Sequence, residues 1–152
     1  MLESCPYQLI DILLQPNTVE EINNQEDQDI EIETISDNHE EGWRPKRKSD
    51  FIDLRLAYAV KIYAIEVIKT SNVRSFKVIL IDKNEVSREF KIKNKKNNKN
   101  PNLVLSLIHS NNLNGEVSDK DLIRVLRFKP TDKLDKKKPY NIKIKIFVCS
   151  GK

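Results

Sequence analysis

The side chains able to do chemistry in this chain are few and badly placed for catalysis. His39 lies in an acidic stretch and His109 follows an apolar one. Neither has a nucleophile, carboxylate or second ligand at a spacing that would make it a general base or a metal ligand. Cys5 has no base paired with it in sequence, so nothing would activate its thiol. Asp27, Asp29 and Glu31 alternate like a calcium loop but lack its turn glycine and closing glutamate. Outward-facing acids on a strand are the simpler account of them. With no Cys-x-x-Cys pair and no His/Cys cluster, no zinc site is expected. No cofactor, metal or enzymatic activity is therefore expected. One grouping does suggest binding: Trp43 beside Arg44, Lys46, Arg47 and Lys48. An indole can stack on a sugar or enter a membrane surface while neighbouring cations pair with phosphate, sulfate or carboxylate. The competing reading is that Trp43 plugs the core beneath its loop and the bases are solvated.

The composition suits a binding module. The 152 residues fit one domain, with 38% apolar and 33% charged residues. With 3 glycines, phosphate-cradling loops are nearly excluded. Apolar runs such as Val78–Ile81 fall far short of the roughly 20 residues of a membrane-spanning helix. No basic segment followed by an apolar one opens the chain, so no signal peptide is expected within it. It can still be an excised piece of a secreted protein. The net charge of +4 conceals a split: residues 1–42 hold 12 acids and no Lys or Arg, while the rest holds all 27 bases. Such asymmetry suggests an acidic segment near a basic surface, or oppositely charged solvated loops. Cys5 and Cys149 stand near the two ends. Paired, they would staple the first strand to the last, worth about 4–5 kcal/mol on an entropy argument. Unpaired, they are ordinary buried thiols of a cytosolic protein.

The elements that must position these groups read as strands. Residues 7–14 form a strand or a short helical turn, stopped by Pro16-Asn17. Ile30 and Ile32 alternating with Glu31 and Glu33 predict a half-buried strand. Ser36 to Asp50 is a polar loop carrying Trp43. Ile52, Leu54 and Leu56 share one face of a strand, with Asp53 and Arg55 on the other. Val60–Ile68 predicts a further strand, because Val, Ile and Tyr favour the pleated surface. Val73–Ile81 and Val86–Ile92 around Asp82–Glu85 predict a hairpin. Residues 93–102 form an exposed lysine/asparagine loop, Leu103–Ile108 a strand, and Asn111–Gly115 a turn. Leu122–Phe128, apolar on both faces, predicts a central strand. Pro130–Pro139 is a second basic loop, with Lys136, Lys137 and Lys138. Ile142, Ile144, Ile146 and Val148 alternate with Lys143, Lys145 and Phe147 in the clearest period-2 signal of the chain. About eight short strands and no convincing helix predict an all-β, antiparallel jelly-roll β-sandwich. It would form one domain over residues 1–152. Residues 15–42 form a loosely ordered acidic segment, and the first 42 residues either add edge strands or remain partly a tail.

Four features give this order of elements a family likeness. They are Cys5 near the start and Gly42-Trp43-Arg44-Pro45 ahead of Phe51-Ile52-Asp53-Leu54. The third is the pair Val60–Ile65 and Asn72–Val78, and the fourth Ile123–Val125 leading to Ile142–Cys149. In these the chain resembles the discoidin, or coagulation-factor type C, domains of the galactose-binding-like jelly rolls. The likeness spans residues 43–149 well and 1–42 poorly. The hairpin departs from the family in having Val86 and Phe90 where an aromatic often follows the turn. The early serine-rich stretch is absent, and the insert at 93–100 is unusual. The resemblance implies a sandwich whose end loops bind a glycan, an anionic lipid headgroup or a protein partner. It also implies a Cys5–Cys149 bridge and an extracellular or secreted setting within a larger protein. Two alternatives stand beside it: a cytoplasmic protein-interaction domain of the same superfamily, and a polyanion binder using the basic loops. Nucleic acid is the less expected polyanion, since base readout wants aromatics or arginines placed among the lysines.

Overall fold

In a computed structural model of the chain, residues 8–24, 32–36, 41–47, 49–94, 102–107 and 121–149 are described. Among the described residues, nine strands build two antiparallel sheets: β1 (Leu9–Asp11), β2 (Val19–Asn24), β3 (Ile52–Lys61), β4 (Ala64–Val67), β5 (Val73–Asp82), β6 (Ser87–Lys93), β7 (Leu103–Ser106), β8 (Leu122–Lys133) and β9 (Ile144–Cys149). The four-stranded sheet runs β1-β9-β4-β7 and the five-stranded sheet β2-β3-β8-β5-β6. This is the expected antiparallel jelly-roll sandwich. β1 and β2 are edge strands, so part of the acidic first segment is woven into the fold.

Alternation drives the assembly. Ile52, Leu54 and Leu56 of β3 face inward, as do Leu126 and Phe128 of β8 and Phe76, Val78 and Leu80 of β5. The Phe76 and Phe128 rings stack at 5.3 Å in the middle of the core. Ile65, Ile144 and Ile146 close it from the other sheet. The expected hairpin is present. Asp82 Oδ1 accepts from Asn84 N at 2.8 Å and Val86 N at 3.0 Å, and Glu85 takes the left-handed conformation at φ 67°.

Several expectations are corrected. Of the strand expected at Ile30–Glu33, Ile30 and Glu31 lie outside the described residues, and Ile32 opens a four-residue helical turn, Ile32–Ile35. Two isoleucines, Ile30 and Ile32, are too few positions to separate period 2 from 3.6, and Ile35 continues at the helical spacing. Val60–Ile68 is not one strand. β3 runs on through Lys61 across a bulge between Arg55 and Val60. The chain then crosses at buried Ile62 and Tyr63 to the other sheet, where β4 begins. Tyr63 keeps its backbone bonded through the crossing, donating to Phe147 O at 2.8 Å and accepting from Leu107 N at 2.9 Å. In the bulge, the Ala57 carbonyl accepts from Arg124 at 3.0 Å, and the same guanidinium meets Glu20 at 3.0 Å. β8 is central, but only one face is apolar throughout; its other face carries Arg127 and Lys129. β8 also extends to Lys133, so the second basic loop is shorter than expected. The insert beyond Asn94 and the turn at 111–115 lie outside the described residues.

Candidate functional site: a basic cleft beside the Trp43 loop

Two loops distant in sequence meet where β3 begins and β8 ends. The first is the Trp43 loop. Trp43 is 4% exposed, and its backbone exchanges two hydrogen bonds of 2.8 Å with Ile142. Of the two roles weighed for it, the structure displays the core plug; its rings face other core side chains. Arg44 is exposed and does not line the cleft described below. Asp50 folds the rest of the loop. Its carboxylate is buried, Oδ2 accepts from Lys46 N at 3.0 Å and Arg47 N at 2.9 Å, and Oδ1 lies 3.5 Å from Arg47 Nε. Lys48 lies outside the described residues.

The second is the connection from β8 to β9. Asn72 holds it from the 3-10 turn at Lys69–Ser71. Its amide donates to the carbonyls of Asp135, Lys138 and Pro139, and its Oδ1 accepts from Asp135 N. Ser71, fully buried, does the same for the start of β9: its hydroxyl accepts from Lys143 N at 3.0 Å and donates to Lys143 O at 3.2 Å.

Between these loops opens a cleft of about 360 Å³, lined by Pro45, Lys46, Arg47, Thr131, Asp132, Lys133, Lys136 and Tyr140. Lys133 Nζ sits 5.2 Å from the centroid of the Tyr140 ring. Burial, then the nearby Asp132 charge, raises the Tyr140 pKa above its ordinary value. The phenol therefore stays protonated, and able to donate, throughout the physiological range. The cleft thus offers four cations, a carboxylate acceptor, a phenol and a half-buried aromatic ring. Of the sequence-predicted residues, it gathers Lys46 and Arg47 but not Trp43 or Arg44. Lys133 and Lys136 come from the second basic loop marked in the sequence, whereas sequence reasoning missed Thr131, Asp132 and Tyr140. The available signal was an aromatic set after a lysine run, Lys136 to Tyr140, which repeats the Trp43 composition.

At the far end, Cys149 closes β9 opposite Leu9 of β1. No free thiol is present among the described residues, and Cys5 lies outside them. No group of three or more His, Cys, Asp or Glu that could hold a metal occurs among the described residues, and no described helix is long and apolar enough to cross a membrane.

No family model and no curated protein matches the chain. Solved structures do match. CpGH89CBM32-6 of Clostridium perfringens superposes with a TM-score of 0.58 at 16% identity, covering 91% of this chain and 99% of that one. Discoidin II of Dictyostelium discoideum superposes with a TM-score of 0.61 at 12% identity, covering 95% of this chain. The fold is that of the discoidin-like jelly rolls. The chain spans 60% of the length of discoidin II and nearly all of the clostridial module. At these identities the likeness is one of fold, and the discoidin-like sandwich here carries its own cleft chemistry.

Proposed function

We propose that this discoidin-like domain is a non-catalytic module that binds an acidic sugar in the cleft between the Trp43 loop and the β8–β9 connection. The observation that carries this reading is that Lys46, Arg47, Lys133 and Lys136 line one cleft with the half-buried Tyr140 and Asp132, Lys133 lying over the Tyr140 ring. The ring supplies a stacking surface and the cations meet a carboxylate or sulfate. Asp132 accepts from sugar hydroxyls while repelling multiply charged phosphates. The fold neighbours support the reading, since they include carbohydrate-binding modules. Titration calorimetry with sialylated, uronate and sulfated oligosaccharides tests it. Tyr140→Ala is expected to weaken binding about tenfold or more, and Tyr140→Phe, which keeps the ring, by less. Arg47→Glu with Lys136→Glu is expected to abolish binding of the acidic sugar. Equal binding of neutral and acidic sugars, indifferent to these variants, would overturn the assignment.

A second reading has its own observation. Leu134 is 50% exposed beside Lys133, Lys136, Lys137 and Lys138. An apolar tip ringed by cations suits an anionic membrane surface. Vesicle sedimentation with and without phosphatidylserine separates the two readings. Leu134→Asp should abolish membrane binding and leave sugar binding intact.

We also propose an extracellular setting within a larger protein, with Cys5 bridged to Cys149. The register of β1 on β9 supports the bridge by bringing Leu9, four residues after Cys5, beside Cys149. Intact mass of unreduced protein after alkylation should show two hydrogens lost and no alkyl group added. Two alkylated thiols in protein made under oxidising conditions would instead favour a cytoplasmic protein-interaction domain.

A further inference from the structure

We propose that the outer face of the five-stranded sheet is a second anion-binding surface, built for a linear sulfated polysaccharide. It rests on cations other than those of the cleft, the two surfaces sharing Thr131 alone among their lining residues. The registers place Lys91 of β6, Lys77 of β5 and Lys129 of β8 in one row across three adjacent strands. Neighbouring strands lie about 4.8 Å apart, so the row sets its lysine backbones at about that spacing, roughly one sugar ring each. Lys93 adds a cation one pleat along, where the Ser75 and Thr131 hydroxyls share a hydrogen bond of 2.6 Å.

Like charges directly opposite one another weaken a sheet, so the row calls for an explanation. Lys77 meets Glu89 at 3.1 Å, and Arg127 is taken by Asp53 in a two-pronged pair at 2.7 and 3.0 Å. Lys91, Lys93 and Lys129 have no acidic partner among the described residues. Lysines on the edge strand β6 also guard against edge-to-edge pairing. That cannot account for Lys77 and Lys129, because β5 and β8 are interior strands.

The surface is also hollowed. One depression of about 380 Å³ is lined by Ser75, Lys77, Lys91, Lys93 and Thr131 among others. A second, of about 270 Å³, is lined by Ser49, Phe51, Lys77, Ile79, Arg127 and Lys129. They flank Lys77, which lines both, and so lie side by side across the strands. A flexible, regularly charged chain fits such a surface. Nucleic acid fits it less well, because of the two aromatic residues lining it Phe76 is buried in the core and Phe51 is covered by Arg127 at 4.0 Å, so neither offers an open platform for a base.

The test measures binding of heparin oligosaccharides of increasing length to the full chain, as a function of salt. Lys91→Glu with Lys129→Glu is expected to weaken heparin binding by about tenfold or more and to make its salt dependence shallower. The fold should remain as stable as the parent or more so, since the row's repulsion is relieved. The cleft double variant Arg47→Glu, Lys136→Glu should retain most heparin binding, which separates failure of the cleft reading from failure of this one. Unchanged heparin binding by the Lys91/Lys129 variant would overturn the proposal. Single-stranded DNA competing as well as heparin at equal charge would overturn the polysaccharide assignment.

Discussion

Gly42→Ala is expected to destabilise the domain by about 3–4 kcal/mol. An alanine Cβ at this position would lie 2.6 Å from the carbonyl carbon of Ile142 and 2.7 Å from its nitrogen, and closer still to its oxygen. These are backbone atoms, so no side chain can swing aside to relieve the contact. Ile142 is itself fixed: its side chain is fully buried and its peptide exchanges hydrogen bonds with Trp43 on both sides. Gly42 N also donates to Asn141 Oδ1 at 2.6 Å. Relief therefore requires the Trp43 segment to lift from residues 141–142, breaking that small ladder and tilting the indole out of the core. Overpacking costs roughly 1–3 kcal/mol, and each backbone bond lost about 1 kcal/mol more. Urea unfolding of parent and variant would measure the difference, with Ser49→Ala as a control expected within about 0.5 kcal/mol. A loss below about 1 kcal/mol would mean that the loop slackens without cost and that the Trp43–Ile142 bridge does not hold it. Acidic-sugar binding should fall with stability, because the Trp43 loop carries Lys46 and Arg47 into the cleft.

The parts of this fold legible in the sequence are those where one face is wholly apolar. Ile52, Leu54 and Leu56, and Ile142, Ile144 and Ile146, alternate because one side of each segment meets the core and the other meets water. The motifs between the Trp43 loop and Cys149 resemble those of the discoidin domains, and that resemblance implied the sandwich. What stayed hidden lacked that contrast. β2 offers only Val19 and Ile22 as apolar residues, as an edge strand half in solvent can. β3 hides its length because the bulge after Arg55 interrupts the alternation. The passage between sheets at Ile62–Tyr63 looked like a continuous strand because both residues are apolar and buried. Composition found Lys46 and Arg47, but nothing local could place them against Tyr140 nearly a hundred residues later. Trp43 shows the limit most clearly: a core plug and a ligand platform require the same residue, and only packing separates them.

Asn72→Ala is expected to cost about 2–3 kcal/mol and to loosen one wall of the cleft. Two effects combine. Asn72 adopts the left-handed conformation, φ 61° and ψ 36°, which asparagine tolerates and alanine resists by about 1 kcal/mol or more. Its side chain also ties down the turn beyond β8, donating at 3.0, 3.0 and 3.2 Å to Asp135, Lys138 and Pro139 and accepting from Asp135 N at 2.8 Å. Those bonds are exposed, so together they contribute about 1–2 kcal/mol rather than the sum of buried ones. Asn72→Gly separates the terms, since glycine takes the left-handed conformation freely and makes none of the bonds. The glycine variant should recover part of the lost stability but none of the lost binding, because Lys136 and Tyr140 depend on the turn that Asn72 pins. Denaturant midpoints and sugar titrations on the same three proteins read both quantities. Equal stability of the two variants would remove backbone conformation from the account. Parent-like binding by either would show that the β8–β9 connection keeps its shape without Asn72, leaving the hydrogen bonds a consequence of the loop's conformation rather than its cause.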